Sequence, residues 1–172
     1  MKRVLIIALT MLLAVMSVSC SAGGSSVEKT IDIKSVDEVK VEDYAENLDG
    51  LIDYFKHIGY ILCPENGTSN ATETKLNAEI INAKAGKRFQ FTYEGSTVTM
   101  ELYEFYTGEN ATPSDALAQV KKDGKFDVLG IDEFEAYISD NDKYMLIYTD
   151  NNKDEANVQR KNDVIKLFKS YK

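Results

Sequence analysis

His57 is the only histidine in the 172 residues, and only two cysteines, Cys20 and Cys63, accompany it. A nucleophilic thiol needs a base within hydrogen-bond reach and a third group to orient that base. The one cast the chain offers is Cys63 with His57, Asp53 four residues before the histidine, and Glu65 nearby. Asp53 and His57 at i,i+4 also form an ordinary surface pair on a helix. Cys63 sits in "YILCPENG" among apolar neighbours, the usual setting of a small buried thiol. A calcium loop is the next candidate, because Asp150, Asn152 and Asp154 alternate in "DNNKDE". An EF-hand would need Gly where Glu155 stands and Glu where Lys161 stands, so a polar turn leading into a helix is the better account. No G-x-S-x-G, H-E-x-x-H, C-x-x-C or phosphate-binding glycine loop is present, and the sequence assigns no catalytic residue, metal ligand or cofactor.

The elements that would position such residues are legible from periodicity. Tyr44, Leu48, Leu51, Ile52, Phe55 and Ile58 recur at helical spacing, with Gly59 placed to stop the helix. Asn70 or Thr72 can cap a second helix with the stripe Leu76, Ile80 and Ala83, ended by Gly86. Phe89, Phe91 and Tyr93 alternate on one run and Val98, Met100 and Leu102 on the next, with Glu94-Gly95-Ser96 between them, which predicts a β-hairpin. Thr112 as cap and Pro113 at the first helical position start a third helix, which Gly124 ends. "FEAYIS" and "KYMLIYT" form a second hairpin around Asp140-Asn141-Asp142. A last helix begins near Asp154, with Val158, Ile165 and Phe168 on one face and Val164, Leu167 and Tyr171 broadening it. The sum is an α+β domain over residues 43–172: an antiparallel four-stranded sheet from two hairpins, packed with about four helices in the order α-α-β-β-α-β-β-α.

Strand alternation then defines a candidate binding face. With Val98, Met100 and Leu102 inward, Tyr103 and Phe105 point outward; with Phe134, Ala136 and Ile138 inward, Tyr137 does too. On the last strand either Met145 and Ile147 or Tyr144, Leu146 and Tyr148 share that face. Tyr103, Phe105, Tyr137 and Tyr148 thus outline a tyrosine-lined surface for a peptide, glycan or envelope protein, unless a helix covers it.

At the other end of the chain, Met1-Lys2-Arg3 precedes an uncharged, mostly apolar run from Val4 to Val18, which is too short for a membrane span of about 20 residues. A basic start, a short apolar core and small residues after it make an export signal. Its exit, Met16-Ser17-Val18-Ser19-Cys20, resembles the lipobox of bacterial lipoproteins, with Ser17 where leucine is usual. The resemblance implies a signal peptide over residues 1–19, cleavage before Cys20, and a diacylglyceryl thioether on Cys20. It further implies a protein held at the extracytoplasmic face of the cell membrane. Residues 20–42 then read as the lipidated cysteine and a flexible tether, opened by Ser21-Ala22-Gly23-Gly24-Ser25-Ser26. Around "TVTMELYEF" the mature domain is similar to small bacterial lipoprotein domains to which no activity attaches, and no residue is carried across from them.

Charge narrows the partners. Losing Lys2 and Arg3 with the leader deepens a net charge of −8 by two. Such a body is repelled by phosphate backbones, which argues against nucleic acid. The expectation is a non-enzymatic binding or accessory module, with a small envelope enzyme using Cys63 and His57, or a purely structural component, as alternatives.

Overall fold

A computed structural model describes residues 30–108, 111–128 and 132–172. Among these residues the chain forms three α-helices and one six-stranded antiparallel sheet. The expected signal peptide, Cys20 and the glycine-serine stretch lie outside them.

The first helix, α1, spans Leu48–His57. Asn47 starts it, its side-chain oxygen accepting the Gly50 N–H at 2.9 Å. Leu48, Leu51, Ile52 and Phe55 form the buried face that periodicity gives. The expected second helix does not exist. In its place stand strand β1, Thr72–Lys75, a 3-10 turn at Ala78–Ile81, and the start of strand β2, Ala83–Tyr93. Asn82 takes a left-handed conformation and ends the turn. Ile80, expected on the buried stripe, is 70% exposed. Gly86 ends no helix. It sits within β2 where an added Cβ would come within 2.8 Å of the Tyr103 ring, so its bare backbone lets that ring lie across the strand.

Strand β3, Ser96–Phe105, returns from β2 through Glu94-Gly95, whose φ values of 42° and 73° make the two-residue left-handed turn that suits twisted hairpins. The second helix of the structure, α2, spans Asp115–Asp123. Its cap is Ser114 rather than Thr112: the hydroxyl accepts from Leu117 N–H at 3.3 Å and donates to the Ile81 carbonyl at 2.6 Å. Gly124 ends it as expected, and a short strand β4, Lys125–Val128, follows where sequence shows only a loop. Strands β5, Asp132–Ile138, and β6, Tyr144–Thr149, form the second hairpin, and helix α3, Glu155–Lys169, starts after Asp154 as expected. Its buried stripe is Asn157, Arg160, Val164 and Phe168, while Val158 is 42% exposed.

The sheet order is β1-β2-β3-β6-β5-β4. The correction from four strands to six comes from two short outer strands of four residues each. On one face Phe89, Phe91, Val98, Met100, Leu102, Tyr144, Leu146 and Tyr148 pack against α1 and α3. On the other, Tyr103, Phe105, Ala136, Met145 and Ile147 pack against Ala116 and Val120 of α2. Residues 31–42, read as tether, lie on the body. Ile31 N–H donates to Glu65 O at 2.6 Å, Lys34 N–H to His57 O at 2.8 Å, and Val36, Val39 and Val41 are half-buried against the α1 side of the core.

Candidate functional site

The four aromatic residues expected on one surface do not share a face. Directly paired residues on neighbouring strands point the same way. Leu102 pairs Leu146, and Leu146 pairs Tyr137, so Tyr137 belongs with Leu102 rather than with Tyr103. Met100 pairs Tyr148, which puts Tyr148 in the same core at 2% exposure. Tyr103 and Phe105 lie under the α2 side at 7% and 2% exposure, and the Tyr103 hydroxyl donates to Glu101 at 2.7 Å. Burial, then the neighbouring Glu101 carboxylate, pushes that hydroxyl's pKa far up. Only Tyr137 keeps a half-exposed ring.

Nor do Cys63 and His57 meet in a hydrogen bond among the described residues. The thiol is buried, its pKa pushed up by that burial and by the Glu65 carboxylate that accepts its S–H. His57 Nδ1 lies 2.8 Å from the backbone carbonyl of Asp53, not its carboxylate. Asp150 serves as a knot rather than a cation ligand. Its oxygens accept from Ser96 Oγ at 2.6 Å, Asn152 N–H at 2.9 Å and Asn157 Nδ2 at 2.8 Å, tying the β6 end to β3 and α3. Among the described residues no group of three His, Cys, Asp or Glu could hold a metal ion. Likewise none of the helices described is long and apolar enough to cross a membrane.

A groove of about 650 Å³ does open on the molecule, between the end of α2, strand β5, the β5–β6 turn and the end of α3. Its floor is sheet edge. Ser139 N–H donates to Tyr144 O at 3.1 Å, which fixes the hydrogen-bond phase of the β5–β6 ladder: Tyr137 bonds toward β6, while Ala136 and Ile138 face away from it. Outward, Ala136 N–H donates to Gly124 O at 3.1 Å and Asp140 N–H to Lys169 O at 2.8 Å. The Gly124 N–H is taken by Val120 O at the end of α2. That leaves the Ala136 carbonyl and both backbone groups of Ile138 facing the groove without a backbone partner among the described residues. The gap exists because the chain curls into α2 at Gly124 instead of continuing β4 alongside Ile138.

Paired charges rim this floor. Lys121 Nζ lies 2.8 Å from Asp142, Lys125 pairs with Glu133, and Lys161 lies 2.7 Å from Glu135. The Lys161 hydrogen bond holds the Glu135 carboxyl below its ordinary range, while burial pushes the Tyr137 hydroxyl up. Lys169 sits 6.0 Å over the Tyr137 ring and has no carboxylate within 4 Å among the described residues. The arrangement offers hydrogen bonds, a free ammonium and a ring face, which are recognition groups. Sequence reasoning missed the groove because backbone groups build its floor and backbone carries no residue signature; of its lining, Tyr137 alone was expected as a binding residue.

Neither a family model nor a curated protein nor a solved structure matches this chain.

Proposed function

We propose that the chain is a lipoprotein held at the extracytoplasmic face of the cell membrane through Cys20, acting by binding rather than by catalysis, with the α2–β5–α3 groove as its contact site. The observation that carries the reading is the groove itself: the Ala136 carbonyl and the Ile138 backbone groups, without a backbone partner among the described residues, beside Lys169, which has no carboxylate within 4 Å among them, in a volume within the usual range of ligand sites. The occupant is sought among envelope proteins, peptides and glycans.

Display geometry supports it. The chain joins the body beside His57 and Glu65, at the C-terminal end of α1. The groove belongs to the opposite end, where Lys143 reaches the Glu46 carbonyl ahead of α1 and the Tyr171 hydroxyl donates to Ala45 O at 2.8 Å. An anchor at Cys20 is ten residues from Thr30, a reach of at most about 36 Å. Such a leash keeps the entry end within that reach of the bilayer and leaves the groove end free to face away from it.

Two measurements test this. Intact mass of the membrane-extracted protein should show a diacylglyceryl addition at Cys20 that Cys20→Ala abolishes; an unmodified N-terminus overturns the anchoring. A photo-crosslinking residue at Lys169 should yield one discrete adduct on cells that the same probe at exposed Val158 does not, and identical adducts from both positions, or none from Lys169, overturn the assignment of the groove.

A further inference from the structure

Strand β1 is an outer strand of the sheet, and its pairing with β2 leaves half of its backbone groups turned outward. Leu76 N–H donates to Gly86 O at 2.9 Å, and Thr74 and Thr72 stand opposite Arg88 and Gln90 in the same ladder. That phase sends the N–H and C=O groups of Thr72 and Thr74 to β2 and those of Glu73 and Lys75 to solvent. All four side chains of the strand are exposed. Glu73 projects on the α1 side, where its carboxylate meets Lys56 at 3.2 Å and Lys87 at 2.8 Å. Two-residue alternation puts Lys75 on that side as well, without a carboxylate within 4 Å among the described residues.

Charges on an outer strand commonly block pairing with other chains, and they do so when like charges are brought face to face. Here the signs alternate. An antiparallel copy of β1 centred on Thr74 sets Glu73 opposite Lys75 of the second copy, Lys75 opposite Glu73 of the second copy, and Thr74 opposite Thr74. The outward backbone groups of Glu73 and Lys75 then meet donor to acceptor in four hydrogen bonds. Opposite charges and threonine pairs directly across a ladder are favourable, so charge, backbone phase and side-chain pairing select one register. We infer that β1 is a self-complementary edge that joins two copies of this chain about a twofold axis through Thr74. The shared strand is short, so the dimer is weak in dilute solution and is favoured where copies are concentrated on one surface.

The axis makes the test direct. Thr74 would face its own copy in a non-hydrogen-bonded pair, with Cα atoms about 4.5 Å apart, inside the span of about 4.4–6.8 Å that a disulfide bridges. In the full chain on its membrane, Thr74→Cys under mild oxidation should form a linked dimer about tenfold faster than Thr72→Cys, which is equally exposed but faces Leu76 of the second copy. The unsubstituted chain supplies the background from Cys63 and from any Cys20 left unacylated. Adding Lys75→Glu sets two carboxylates against each other and should slow the linkage about tenfold. Mixing that chain with one carrying Glu73→Lys and Thr74→Cys should restore it. Equal rates for the two cysteine positions, or no loss with Lys75→Glu, overturn the inference. Glu73→Lys also gives up contacts to Lys56 and Lys87, so its melting curve is checked first, and the Lys75→Glu arm decides without it.

Discussion

The two faces of the sheet are filled by different kinds of residue. Under α1 and α3 the core is large and ring-rich: Phe55, Phe89, Phe91, Phe168, Tyr144 and Tyr171 are each almost wholly buried. Under α2 four of the buried residues are alanines, Ala78, Ala83, Ala116 and Ala136, and the helix itself buries only Ala116 and Val120. A short helix over small side chains covers little of the sheet, so the open groove lies on its flank, beside β5. One face holds the fold together, and the other leaves surface free. The largest test is a matched pair of truncations. Phe168→Ala should cost about 3–5 kcal/mol and Val120→Ala about 1–2.5 kcal/mol, read from denaturant midpoints. Comparable losses at both positions would break the contrast.

Arg160 shows how far the α1–α3 face depends on one side chain. Its guanidinium donates to the carbonyls of Gly59 at 2.9 Å and Tyr60 at 3.1 Å and stacks 4.3 Å from the Tyr93 ring, pinning α3 to the end of α1. Arg160→Ala removes charge-assisted bonds and leaves those carbonyls unmet, an expected loss of about 2–4 kcal/mol. Arg160→Lys should recover little of it, because both bonds come from one nitrogen of a plane held against the Tyr93 ring, and an ammonium has no such plane to place its donors. Full recovery by lysine would show that charge alone matters there.

Asp150 couples the same face to pH. Burial works to raise its pKa, but hydrogen bonds from Ser96, Asn157 and the Asn152 N–H outweigh burial and hold it below the ordinary aspartate value. The folded state thus prefers the carboxylate. The stability this gives is complete above the unfolded pKa of about 4 and is lost as pH falls through the lower folded value. Asp150→Asn should therefore cost about 1–2 kcal/mol near neutral pH, with the gap to the unsubstituted chain closing in acid. A gap that widens in acid would reverse the assignment.

Elements with many residues on one stripe were legible in the sequence: α1, the β2–β3 hairpin, the end of α2 at Gly124, and the start of α3. The misread segment shows what such patterns cannot carry. Leu76, Ile80 and Ala83 fall at helical spacing, yet they lie just past one strand, in a 3-10 turn and in a second strand. β1 escapes detection because an exposed outer strand such as "TETK" has no apolar alternation to show. The binding face failed for another reason. Alternation within each strand was right, but which alternate set of β5 shares a face with Leu102 depends on register across β6, and register is not written in either strand alone.

The finest test replaces a tyrosine by phenylalanine on each face. On the α2 side the Tyr103 hydroxyl has a carboxylate partner, so Tyr103→Phe should cost about 0.5–1.5 kcal/mol. On the α1–α3 side the Tyr148 hydroxyl is buried without a hydrogen-bond partner among the described residues, beside an Arg160 Nε in the same condition. Removing an oxygen that has lost its water and gained only the nearby Arg160 guanidinium is close to neutral, so Tyr148→Phe should shift stability by less than about 0.5 kcal/mol at neutral pH. In alkali the two run the same way, because burial pushes both hydroxyls up. Burial, with Asp150 adding to it against Arg160, pushes the Tyr148 pKa up to about 12. The folded chain then favours the neutral phenol. Its contribution is complete below the unfolded pKa of about 10 and falls away as pH rises toward the folded value. Tyr148→Phe should flatten that alkaline decline, measured as melting temperature between pH 9 and about 11.5. A phenylalanine variant that declines as steeply as its parent would show that the Tyr148 hydroxyl is solvated.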